Sequence, residues 1–368
     1  MSFNSNHFTS RLYYDIMLSN LNTKTGDNPI LTFQETRSNP IIYCPQNYYL
    51  SIIRFSLDTC SLPIFVPTIQ SSQSDVNLTI YSMSMSYNGY TVQTFMNFIP
   101  QDNSQSIPVA PSQTSNGLQV YCDYYYIYNY DYVIYLLNNT LKTCFNSLAA
   151  LIALPTSNIP YFRWDTINNI ATLISDQNGF NDTSDDYIGL YFNNALYQLL
   201  VSLPMTLQST SSTNGLNYQI STSNYGNANT ETINNYTAQL LVQEYSTISV
   251  WNPVMSVVFT SNTLPIISEQ LSAPLVYING IIKQSSNISN IANVITDFES
   301  NDGIYKPSLV YQPFVYRYTE MVGSTPISTF DITVYWKSRY SDLIPFRLNT
   351  GCTATIKMMF SLKNTQSG

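Results

Sequence analysis

The sequence predicts a mainly β protein: a β-sandwich formed by both ends of the chain, interrupted by an α+β insertion of roughly 130 residues. Three observations predict it. Apolar and polar side chains alternate with a period of two near both termini, apolar spacing of three and four residues is confined to the middle, and charge divides along similar lines. Residues 1–57 balance at +1 and residues 303–368 at +4, whereas residues 58–302 carry −13. A chain of 368 residues also exceeds one ordinary sandwich of roughly 100 to 200 residues. The expected organisation is an N-terminal arm over 1–20, a sandwich over 21–104 and 236–368, and an insertion over 105–235.

The arm mixes Asn, Ser and Tyr with Arg11 and Asp15, lacks the pattern of a secretory signal, and is expected to dock on a neighbouring molecule. Tyr48 to Leu57 is apolar on both faces, as a central strand covered on each side requires. Val76 to Tyr87 predicts another strand whose phase slips between Ile80 and Met83, the mark of a bulge or bend. Asn88 and Gly89 then give a tight-turn signal. Val120 to Tyr128 predicts a tyrosine-dense strand. Val133, Leu137, Leu141, Phe145, Leu148 and Ile152 mark one face of a helix that ends before Pro155. Arg163 to Ser175 predicts one or two short strands, Asn193 to Leu203 a second helix with Leu196, Leu199 and Leu200 inward, and Gln208 to Asn234 a long polar connection. β character returns at Leu240. Thr329 to Trp336 places Phe330, Ile332, Val334 and Trp336 on one face, and Ala354, Ile356, Met358 and Phe360 repeat that pattern.

Little in the chain points to chemistry. Its 31 tyrosines stand against one histidine, His7, and only 10% of residues are charged, a composition suited to contact surfaces. Triads and histidine-containing metal sites are nearly excluded, and no cofactor is expected. The acidic run Asp176, Asn178, Asp182, Asp185 and Asp186 has Gly179 and Phe180 in the wrong places for a calcium loop, so it is expected to be a solvated loop. Five cysteines lie far apart without a C-x-x-C, which fits a reduced intracellular origin better than a disulfide framework. No apolar run approaches the ~18 residues of a membrane span. Arginines inside aromatic segments of so sparsely charged a chain are expected to be fixed anchors. Arg37, Arg54, Arg317 and Arg339, with Trp251 and Trp336, are therefore the candidate structural or interface residues. Basic residues near the C terminus alternate with aromatics, but they form a weak patch for nucleic acid. The tyrosine run could instead meet glycans through Tyr124, Tyr125 and Tyr126, which would suit a host-attachment protein; a glycoside hydrolase would need a carboxylate pair, and none stands out.

Several ordered blocks carry a resemblance. Gln34-Glu35-Thr36-Arg37-Ser38-Asn39-Pro40-Ile41-Ile42, Tyr48-Tyr49-Leu50-Ser51-Ile52-Ile53-Arg54-Phe55 and Leu62-Pro63-Ile64-Phe65 resemble the N-terminal half of the penton (minor capsid) proteins of virophages and Polinton-like viruses. Val250-Trp251-Asn252-Pro253-Val254, Tyr311-Gln312-Pro313-Phe314-Val315-Tyr316-Arg317-Tyr318 and Asp331-Ile332-Thr333-Val334-Tyr335-Trp336-Lys337-Ser338-Arg339 follow in the family's order. Tyr340-Ser341-Asp342 departs from it where a glycine-containing turn is expected.

The resemblance implies a single eight-stranded jelly roll with an insertion domain, forming homopentamers at the fivefold vertices of an icosahedral capsid assembled inside a host cell. It further implies a double-jelly-roll major capsid protein as neighbour. The basic residues near the C terminus allow loose contact with packaged DNA, and the charge division predicts that the jelly roll faces neighbouring capsomers and the genome while the acidic insertion projects outward.

Overall fold

The computed structural model describes residues 10–21, 28–70, 74–101, 108–112, 120–210, 213–223, 228–268, 275–278, 281–284, 293–299, 307–340 and 342–363. The chain forms two compact units, Met1–Pro63 with Pro253–Gly368, and Ile64–Asn252.

The first unit contains a two-stranded ladder of Leu275–Ile278 with Ile281–Gln284 and two five-stranded antiparallel sheets. In one, Arg11–Ser19, Thr353–Leu362, Tyr48–Asp58 and Ser308–Tyr311 are neighbours in that order, and the short Thr319–Glu320 strand also pairs with Tyr48–Asp58. In the other the order is Asn293–Glu299, Val254–Ser261, Thr329–Ser338 and Thr32–Thr36, with Leu343–Pro345 against Thr329–Ser338. Successive strands repeatedly change sheet, so hydrogen-bonded neighbours come from opposite ends of the chain, as in a jelly roll. Each strand's alternation turns one row of side chains inward, and aromatic rings bridge the two sheets. Phe55 of the first lies 5.1 Å from both Phe259 and Phe298 of the second. Tyr14 meets Phe330 edge-on at 5.3 Å.

The expected N-terminal arm is an edge strand of its own sheet. Arg11–Ser19 pairs with Thr353–Leu362 along its whole length, Arg11 opposite Ser361 and Ser19 opposite Thr353. Tyr14 and Ile16 are buried while Tyr13 and Met17 face outward, an alternation that only a strand with one covered face provides. Residues 1–9, with His7, lie outside the described residues.

The second unit begins and ends elsewhere than the expected 105 and 235. Leu78–Tyr87 and Tyr90–Asn97 pair as a hairpin and continue into Gly189–Phe192, Tyr218–Ile220 and Met205–Leu207. The hairpin turn has Asn88 at φ 46° and Gly89 at φ 82°, and the ladder shifts register between Leu78 and Ser82 where the sequence phase slips. A second sheet orders Ala228–Ile233, Tyr236–Val242, Ile170–Asp176 and Tyr161–Asp165. Pairing therefore draws 78–97 and 236–242 into the second unit.

The helix Tyr130–Ala149 buries Val133, Leu137, Leu141, Phe145 and Leu148, as its spacing predicts. The Asn129 side chain caps it, accepting from the Tyr132 N–H at 2.8 Å. The helix is set against the Tyr90–Asn97 and Leu78–Tyr87 strands. Three local expectations differ. Val120 to Tyr128 contains a 3-10 turn, Asp123–Tyr125, which lets the consecutive Tyr124 and Tyr125 both face the core; a strand would have split them between faces. The second helix is shorter, Asn194–Leu199. The polar stretch 208–234 holds two strands, and Asn234 and Asn235, both at positive φ, turn Ala228–Ile233 back onto Tyr236–Val242.

Candidate functional site

Among the described residues no group of three or more His, Cys, Asp or Glu side chains could hold a metal ion, and no helix is long and apolar enough to cross a membrane. The acidic run is spent on local structure. Asp176 is buried and accepts from Thr156 Oγ1 at 2.5 Å, Asn158 Nδ2 at 2.7 Å and the Asn178 N–H at 3.0 Å. Asp182 accepts from Ser223, and Asp186 from the Tyr87 hydroxyl at 3.0 Å.

Arg37, Arg54 and Arg317 pair within the first unit, at its surface. Arg37, just past the Thr32–Thr36 strand, binds Glu35 two residues back, and its guanidinium lies 5.0 Å from the Tyr14 ring centre. Arg54 reaches Asp15 of the adjacent-but-one strand at 3.1 Å, with Lys357 of the strand between them at 3.9 Å from the same oxygen. Arg317 donates to Asp297 through both the carboxylate, at 3.2 Å, and the main-chain oxygen, at 2.6 Å. The exposed Arg339 is held through its backbone N–H, which donates to the Pro253 oxygen at 3.1 Å.

Trp336 is buried in the sandwich, opposite Val257 and Ile344. Trp251 is buried in the second unit, its Nε1 donating to the Leu199 oxygen at 2.6 Å and its ring 5.5 Å from Trp164. Tyr124 and Tyr125 are equally enclosed: their hydroxyls donate to Asn77 Oδ1 at 2.8 Å and the Val76 oxygen at 2.7 Å. Burial first, then the neighbouring Cys122, Tyr124 and Asp75, pushes the Tyr125 phenol up to about 12. Tyr126 is half-buried and donates to the Val120 oxygen at 2.5 Å. Closed in this way, Tyr124 and Tyr125 have no face to offer a glycan.

Two features escape the sequence. Asp331 is buried where the turn after Val254–Ser261 closes. It accepts from Ser261 Oγ at 2.8 Å, Thr263 Oγ1 at 2.8 Å and the N–H groups of Asn262 and Thr263, both at 2.9 Å. Burial alone would raise its pKa, but these donors outweigh it and hold the carboxyl below the ordinary aspartate value. A surface also emerges at the two edges of the first sheet. Tyr13 and Met17 stand exposed on the edge strand Arg11–Ser19. At the opposite edge, Val310, Phe314, Val315 and Tyr318 are exposed where the chain leaves Ser308–Tyr311 at Pro313. The proline beside this aromatic run was the one available signal.

Comparison with known proteins follows the same chain of strands. The family model of the Sputnik minor capsid protein V18/19 matches residues 12–362. The uncharacterised protein V18 of Sputnik virophage is 37% identical over 154 residues, 41% of this chain and 90% of V18. Its structural protein V19 is 28% identical over 126 residues, 33% of this chain and 55% of V19. A chain in the cryo-EM structure of the Sputnik virophage superposes with a TM-score of 0.82 at 27% identity, covering 98% of this chain and 99% of that one. The mavirus penton protein shares the fold at a TM-score of 0.62 and 14% identity, covering 96% and 99%. With the match running from the first described strand of the jelly roll to the last, and the likeness in structure extending over both units, the chain belongs to the Sputnik minor capsid protein V18/19 family.

Proposed function

We propose that this chain is a structural capsid protein of the virion that closes fivefold vertices as a homopentamer, seated among copies of a double-jelly-roll major capsid protein and in loose contact at most with packaged DNA. The role is mechanical, with no catalysis. The observation that carries the ring is the pair of unlike apolar edges on one sheet. A cyclic oligomer above a dimer needs two different, complementary patches on each subunit. The Tyr13 and Met17 edge of one copy meets the Val310, Phe314 and Val315 edge of the next, covering apolar side chains that a lone subunit leaves in water.

Sedimentation and two-dimensional electron-microscopy averages of the purified protein test this reading, with the major capsid protein added if rings do not form alone. Fivefold rings are expected; stable trimers would overturn it in favour of an attachment protein. Met17→Asp and Phe314→Asp should each abolish rings while leaving monomer stability within about 0.5 kcal/mol, as exposed substitutions do. Mixed together, these two variants should give heterodimers that cannot close, because each retains one intact edge.

A further inference from the structure

We propose that Cys60 and Cys352 are a latent disulfide, open in a reducing cytoplasm and closed once the protein meets oxidising solution. Tyr48–Asp58 and Thr353–Leu362 pair with Leu57 opposite Ala354, and the Thr353 N–H donates to Asp58 Oδ2 at 2.7 Å. The two cysteines occupy the turns just beyond that point, one after the first strand and one before the second. Both turns are pinned: the Thr59 N–H donates to the Pro307 oxygen at 3.0 Å, and the Cys352 oxygen accepts from the Asn20 N–H at 3.0 Å. Carried two residues further, that register brings Cys352 alongside Thr59 and Cys60, and the two thiols interact electrostatically. All five cysteines are free of disulfides, and the Cys60 thiol's contact with the Pro307 oxygen, at 4.0 Å, is the weak kind a bridging sulfur gives up.

The pair is asymmetric in a useful way. Cys60 is exposed and Cys352 half-buried, so a soluble disulfide such as oxidised glutathione reaches Cys60 first. The Cys60 thiolate attacks one sulfur of that oxidant, forming a mixed disulfide and releasing one reduced thiol. The Cys352 thiolate then attacks the Cys60 sulfur, forming the protein disulfide and releasing the second reduced thiol; the two protons lost by the protein end on the two released thiols. Burial, and then the charges of Cys60 and Asp58, push the Cys352 thiol up to about 11, so at neutral pH the closing step waits on a small thiolate fraction. Inside a cell, excess thiol reverses the first step before the second occurs. Outside, nothing reverses it, and bridges of this kind persist on virion surfaces.

This inference concerns the folded chain itself and stands whether or not the vertex assignment does. The test is to incubate the purified full-length protein with oxidised glutathione at about pH 8, where thiolate is available, then count thiols after denaturation and map peptides. The expected result is that the five free thiols fall by two, a peptide links Cys60 to Cys352, the urea midpoint rises, and reductant undoes all three. Cys352→Ser should trap the glutathione adduct on Cys60, and Cys60→Ser should give no link. Five surviving thiols in natively folded protein, a link through other cysteines, or disulfide-bonded dimers through Cys60 would each overturn the proposal.

Discussion

Asp331 is the residue on which the sandwich's charge chemistry turns. A buried carboxylate with at least four donors is stable only while ionised, and its folded pKa lies below the unfolded value of about 4. Its contribution is therefore complete above about pH 4 and is lost as pH falls through the folded value. Asp331→Asn should cost about 2–3 kcal/mol near neutral pH, since hydrogen bonds to a charged group are lost and some donors are left unmet. Urea unfolding at about pH 6 and about pH 3 checks the sign: the difference between wild type and variant should shrink at the lower pH. Arg54 is the opposite case. Both its side chain and that of Asp15 are about half exposed, so Arg54→Ala should change unfolding by less than about 1 kcal/mol, and any larger effect must come from assembly. Tyr125 has no exposed surface and stacks edge-on with Tyr124, ring centres 4.9 Å apart. Tyr125→Ala should cost about 3–5 kcal/mol and Tyr125→Phe about 1, with urea midpoints as the measure.

Among the elements, those governed by period were legible and those governed by partners were not. Tyr48–Asp58, Thr329–Ser338 and Thr353–Leu362 declare themselves because one or both faces are covered, and the Tyr130–Ala149 helix does so through its apolar face. The sequence could not say which strands pair with which. Leu78–Tyr87 looks no different from a sandwich strand until Gly189–Phe192 is found beside it. Arg11–Ser19 hides for a related reason: as an edge strand it carries charges and exposed apolar residues on its open face, which dilutes the alternation. The candidate site was legible only in part, since pairing geometry, not residue type, separates the surface arginines from the enclosed tyrosines. Deleting residues 1–19 should therefore destabilise the monomer itself by removing a fully paired strand together with the buried Tyr14 and Ile16. An unchanged thermal unfolding curve for the truncated protein would refute that strand's structural role.

At the scale of the whole molecule, the jelly roll's connectivity sets a schedule. Tyr48–Asp58 finds its partners in Ser308–Tyr311, Thr319–Glu320 and Thr353–Leu362, and among the described residues Arg11–Ser19 pairs with Thr353–Leu362 alone. The Ile64–Asn252 unit, by contrast, is one unbroken stretch of chain. At about 5–20 residues per second of synthesis, the first strands wait on the order of fifteen seconds to a minute for the last to leave the ribosome. During that wait the second unit has all its residues in hand, while the leading strands hold apolar faces and open edges with nothing to join. The first segment made is thus the last to be satisfied, and it is there that a nascent chain of this design most needs a chaperone's cover.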